Sequence, residues 1–104
     1  MMAEKLLINS AINYQEGAVV SKELANNKGG TVTLFAFDKG QGLSEHSAPY
    51  DALVIITEGK AQIFIDKQEH KLLAGEMITM PANKTHSLNA LEAFKMILIM
   101  LRSE

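Results

Sequence analysis

The chain reads as an all-β barrel. The reading rests on a side-chain period of two in its apolar runs, β-branched residues and phenylalanines concentrated in those runs, and turn residues recurring roughly every ten positions. The first stretch, MMAEKLLINSAINYQ, holds the one short segment that suits a helix, and residues 1–30 are expected to form an N-terminal strand or arm. After the turn ANNKGG (25–30), TVTLFAF (31–37) sets Val32, Leu34 and Ala36 against Thr33, Phe35 and Phe37. DKGQG (38–42) and SAPYD (47–51) are turns, and LVIITEG is an apolar run closed by Gly59. In AQIFID (61–66), Ala61, Ile63 and Ile65 oppose Gln62 and Phe64. DKQEHKLLAGE follows as a polar strand whose His70, flanked by charges, is read as a solvated surface histidine. After PANKT (81–85), FKMILIML (94–101) puts Met96, Leu98 and Met100 on one face and Ile97, Ile99 and Leu101 on the other. Both faces of that last strand are apolar, so it is expected to be covered on two sides, the second by a partner subunit.

Composition narrows the function. The 104 residues fit one domain, with a barrel core expected over roughly 31–101, and are 47% hydrophobic and 21% charged, as in ordinary globular chains. A net charge of −2 gives no basic footprint, so no nucleic-acid partner is expected. The absence of cysteine removes disulfides, thiolate metal sites and cysteine nucleophiles together. Early Glu4 and Lys5 argue against a signal peptide, and no apolar run approaches the ~20 residues of a membrane helix. The expectation is a cytoplasmic protein with no membrane partner.

Glycine, proline and histidine recur at matched positions in two segments. GQGLSEHSAPYDALVIITEG runs from Gly40 to Gly59, and GEMITMPANKTH from Gly75 to His86. Here the chain resembles the cupin family, small jelly-roll barrels (double-stranded β-helices, RmlC-like) with signature motifs G-x5-H-x-H-x3-E-x6-G and G-x5-P-x-G-x2-H-x3-N. Gly40, His46 and Gly59 fall in register with the first motif, and Gly75, Pro81 and His86 with the second. The chain also looks like a bacterial subgroup of short single-domain cupins carrying PAN before the second histidine. Members of the family that hold a metal use three histidines and a glutamate. In this chain Ala48 stands at the second histidine and Ala52 at the glutamate, leaving His46 and His86. Asp51, Glu45 and Asn89 are each one residue out of phase, so on a strand they face away and replace nothing. Asn83 replaces a glycine and is expected in a left-handed turn.

Two imidazoles suit a weakly held divalent metal such as zinc, nickel, iron or manganese, whereas structural zinc sites use four protein ligands and catalytic ones three. Firm metal retention is therefore not expected, and His46 and His86 are expected to hydrogen-bond or exchange protons instead. The expected ligand pocket comprises His46, Ala48, Ala52, His86, Phe35, Phe37, Tyr50 and Met96, with the two histidines at its floor. Met80, Met96 and Met100 read equally as core filler. Three readings stay open: a module binding a small organic molecule, favoured because two alanines enlarge the cavity; a metal-dependent enzyme of oxygenase or isomerase type using His46 and His86; and an interaction partner that forms a homodimer. Whether the protein is catalytic is not decided by these residues.

Overall fold

A computed structural model describes residues 3–102, so the outermost positions of the expected 1–104 domain lie outside the described residues. Its strands are β1 (Val19–Asn27), β2 (Gly30–Phe37), β3 (Gly42–His46), β4 (Asp51–Glu58), β5 (Lys60–Ile65), β6 (Gln68–Leu73), β7 (Met77–Met80), β8 (His86–Ala90) and β9 (Phe94–Leu101). They form a five-stranded sheet in the order β1-β2-β9-β4-β7 and a four-stranded sheet in the order β3-β8-β5-β6. Every pairing is antiparallel. The two sheets enclose one principal core, as in a jelly-roll barrel. The expected N-terminal helical stretch is a short 3-10 turn at Ile8–Ser10. Among the described residues, no helix is long and apolar enough to cross a membrane.

The period of two is the physical origin of this arrangement. Ala52, Val54 and Ile56 of β4 are buried while Leu53 and Ile55 are half-exposed, and β5 buries Ala61 and Ile63 but not Gln62 or Phe64. Phe35 and Phe37 share the inward face of β2. The Phe37 ring stacks on Phe94 at 4.4 Å between centroids and on Phe35 at 5.8 Å. The Phe37–Phe94 rings are nearly parallel, at 9°, and the Phe35–Phe37 rings are tilted by 27°.

The outward face of β9 is covered partly by the chain's own N-terminal arm, which differs from the expectation that a partner supplies the whole cover. Ile12 is buried against Leu34 and Ala36, with Ala11, Tyr14, Val20 and Ile97 packed around them. A polar clasp fixes the arm there. The buried Lys95 ammonium donates to the Asn9 carbonyl at 2.5 Å, lies 3.8 Å from the Glu58 carboxylate and sits 4.9 Å above the Tyr14 ring. Tyr14 Oη donates to Glu58 at 2.5 Å, and Asn9 Nδ2 donates to the Thr57 carbonyl at 3.1 Å. Burial, then the Glu58 hydrogen bond and charge, push the Tyr14 hydroxyl far above its ordinary titration range. The arm cannot be read from a strand period because its anchor residues lie in irregular chain.

Candidate functional site

The inward residues of the five-stranded sheet form rows that cross the strands. Thr31, Met100, Ala52 and Met80 pair successively across β2, β9, β4 and β7 and make one such row. On the facing sheet, His46, His86, Ile65 and Gln68 make another across β3, β8, β5 and β6. The loop 47–50 joins His46 to β4, and the loop 81–85 joins Met80 of β7 to His86. Such short connections hold the two rows at the same end of the barrel. The loops are also stitched to each other: Asn83 N–H donates to the Ala48 carbonyl at 2.8 Å, and Ala82 N–H to Asp51 Oδ1 at 2.8 Å. Asn83 adopts the left-handed backbone expected of it, with φ of 67°. Asp51 is thus a loop tie, which accounts for an acidic residue that faces away from the barrel interior.

His46 and His86 meet at this end. Their Nε2 atoms are 3.0 Å apart and their rings cross at 74°. His46 Nδ1 lies 2.6 Å from the Ser44 carbonyl, an acceptor only, so that nitrogen carries the proton. In the neutral pair His46 Nε2 is then an acceptor and His86 Nε2–H the donor between the rings. The proton assignment leaves His86 Nδ1 as a bare lone pair. That atom is buried without a hydrogen-bond partner, as is the hydroxyl of Thr31, a residue 6% exposed; these are the two such side-chain atoms among the described residues.

Burial, followed by the neighbouring His46, lowers the His86 pKa from its ordinary value; the Lys84 backbone pulls the other way, without a hydrogen bond in good geometry at Nδ1. A histidine held below its unfolded pKa contributes stability that is complete above the unfolded value, near 6.5, and lost as pH falls through the folded value. Melting temperature is therefore expected to fall on going from pH 7.5 to 5 by more in the wild type than in His86→Gln. Equal falls in parallel thermal melts would show that the pair carries no such linkage.

The expected pocket residues are placed unequally. Ala52 lies in the row facing the histidines, and Ala48 and Tyr50 are half-buried in the adjoining loop. Phe35 and Met96 pair two levels deeper, and Met96 is almost wholly buried. Phe37 is fully buried beside Phe94 at the opposite end, in the core rather than on accessible surface. The histidines sit at the rim instead of the floor: His46, at the end of edge strand β3, is exposed, and His86 is half-buried. An irregular register between Leu43 and His46 accounts for this position. His70 also differs from its expected solvated setting. It shares the inward phase of Leu72 and lines, half-buried, a cleft of about 360 Å³ between edge strands β6 and β7. A second cleft, of about 330 Å³, lies at the β4–β7–β9 corner, with Ala52 the one expected pocket residue on its wall. Thr31 was missed because a threonine beginning a strand has no signature until its phase and its lack of partners are known.

The donor set does not fit a resident metal. Ala48 and Ala52 bring no ligand atom, and among the described residues no group of three or more histidine, cysteine, aspartate or glutamate side chains converges. Two imidazoles fall short of the three protein ligands of a catalytic zinc site.

Residues 33–101 match the family model described as "Cupin domain". Solved structures agree along nearly the whole chain. A conserved Streptococcus pyogenes protein of unknown function is 35% identical, with a TM-score of 0.94 over 100% of this chain and 91% of that one. A cupin superfamily protein from Desulfitobacterium hafniense is 31% identical, with a TM-score of 0.92 over 99% and 94%. An RmlC-like cupin from Shewanella frigidimarina, 19% identical with a TM-score of 0.79 over 85% and 79%, shares the fold. No curated protein matches the chain.

Proposed function

The chain belongs to the cupin family, and from that premise we propose that it binds a small, mainly apolar organic molecule at the histidine end of its barrel. The observation that carries this reading is the pair of unpartnered buried atoms, His86 Nδ1 and Thr31 Oγ1, in rows that face one another. An unsatisfied buried polar group costs about 1–3 kcal/mol, so a ligand that pairs both atoms recovers that free energy on binding. His86 Nδ1 requires a donor, which a hydroxyl or N–H group supplies, and the Thr31 hydroxyl can donate to or accept from the same molecule. Met80, Met100 and Ala52 provide apolar contact around these groups, and alanine at 48 and 52 leaves space that longer side chains would fill. The buried Phe37–Phe94 stack closes the opposite end, so entry is from the histidine rim.

A thermal-shift screen of small alcohols, amides and hydroxylated aromatics against the untagged protein tests this. Hits are expected to bind at least tenfold more weakly, about 1.4 kcal/mol, to the nearly isosteric Thr31→Val and to His86→Phe. Hits indifferent to both substitutions would place the ligand elsewhere. The convergence of the Nε2 atoms favours a second reading, a metal-dependent enzyme using His46 and His86. Stoichiometric uptake of zinc, nickel, iron or manganese that is lost in His46→Ala would favour it over the binding reading.

A further inference from the structure

Edge strands β6 and β7 follow one another in the chain yet belong to different sheets, and they part at the turn between Leu73 and Met77. That turn is pinned to β4: Gly75 N–H donates to the Ile56 carbonyl at 2.8 Å, and Ile56 N–H to the Glu76 carbonyl at 2.9 Å. β7 is thereby drawn toward β4, and the cleft of about 360 Å³ opens beside β6, within the roughly 300–1,000 Å³ usual for small-molecule sites. Buried Leu72 and half-buried Ile78 give it an apolar wall, while His70, Lys71 and Glu76 bring an imidazole, an ammonium and a carboxylate. Among the described residues the one ion pair is Lys95–Glu58, so no neighbour neutralises either charge of the cleft. The main chain is open here as well. Leu73 turns away from β5, its N–H donating to Glu76 Oε1 at 2.7 Å and its carbonyl accepting the Glu76 N–H at 3.0 Å. Main-chain groups alternate sides along a strand, so Lys71, two residues earlier, directs its N–H and carbonyl to the same unpaired edge.

We propose that this cleft, away from the histidine rim, binds a free dipeptide with an apolar first residue, added antiparallel to the edge of β6. The second residue of the ligand pairs with Lys71: its N–H donates to the Lys71 carbonyl, and its terminal carboxylate accepts the Lys71 N–H. The Lys71 ammonium and an N–H of the His70 ring, next along the strand, balance that carboxylate. The first residue then lies opposite Leu72 and shares its inward phase, so its side chain enters the cleft against Leu72 and Ile78. Its ammonium reaches the level of Leu73, where the Glu76 carboxylate is held by the Leu73 N–H. Span selects the length of the ligand. From Lys71 to Leu73 is about 6.8 Å at ~3.4 Å per residue, the reach of two extended residues. A single amino acid is too short to meet both charges, and a longer peptide carries its carboxylate past Lys71 toward Glu69 on the same edge.

Titration of the isotope-labelled full chain with leucyl-alanine, followed by backbone-amide NMR, tests the proposal. Amide shifts are expected at Lys71, Leu72, Leu73 and Ile78, and not at His86 on the barrel rim. N-acetyl-leucyl-alanine lacks the ammonium and leucyl-alanine amide the carboxylate, and each is expected to bind about threefold or more weakly, as for exposed charge pairs. Glycyl-alanine lacks the apolar side chain and is expected to bind about tenfold or more weakly. Glu76→Gln keeps an acceptor for the Leu73 N–H, so it removes the charge without removing the turn, and is expected to weaken leucyl-alanine about threefold or more. The absence of any titrating shift up to about 10 mM overturns the proposal, as do shifts centred outside the cleft. Equal binding of the free and acetylated peptides, or indifference to Glu76→Gln, overturns it too.

Discussion

Gly59→Ala is expected to cost about 2–6 kcal/mol, a large part of the ~5–15 kcal/mol that holds a domain of this kind together. Two effects add at this turn between β4 and β5. The backbone is left-handed, with φ of 82°, where a side chain is strained by roughly 1–3 kcal/mol. An added Cβ would also press into the Ala93 carbonyl and come within 2.7 Å of Phe94 Cα, backbone atoms at the entry to β9 that cannot retreat without moving the buried Phe94. Gly75 separates the two effects: its φ is 90°, yet an added Cβ there meets nothing within 4 Å. Gly75→Ala should therefore cost only the dihedral strain. Urea denaturation of both variants gives the comparison, and equal losses would show that close approach at Gly59 has no energetic weight.

Phe37→Ala is expected to lose about 3–5 kcal/mol, the usual range for emptying a buried phenylalanine site. Phe37 is fully buried and bridges Phe94 and Phe35, so its removal leaves a void between two rings rather than at an edge. Phe64, half-buried on the outer face of the four-stranded sheet, should cost less than half as much on the same substitution. A Phe37→Ala loss below about 1.5 kcal/mol would mean that the barrel is open at this depth, and the ligand end would need to be reassigned.

Much of the fold is legible in the sequence because sheet phase is a local property. The alternation in residues 31–37, 61–66 and 94–101 sorts the side chains of β2, β5 and β9 into the same two faces that the structure has. The matched glycines, proline and histidines reflect real constraints: Gly40, Gly59 and Gly75 all adopt left-handed turns, and His46 pairs with His86 in register. What escaped depends on contacts between distant segments. Ile12 and Lys95 meet neighbours far along the chain, so the arm's cover of β9 leaves no local mark. The exposed position of His46 follows from an edge-strand irregularity that spacing does not encode. Thr31 became visible as a candidate only when its hydroxyl was found buried and alone.

The place of β9 in the five-stranded sheet also has a kinetic consequence. The last of the nine strands in chain order lies in the middle of that sheet, between β2 and β4, and divides it into β1-β2 and β4-β7 until it arrives. Neither half alone can enclose the Phe37–Phe94 stack, and the arm's Asn9 must wait for Lys95 to be synthesised. Closure of the barrel thus depends on non-local pairings, in the slower millisecond-to-second regime of such topologies.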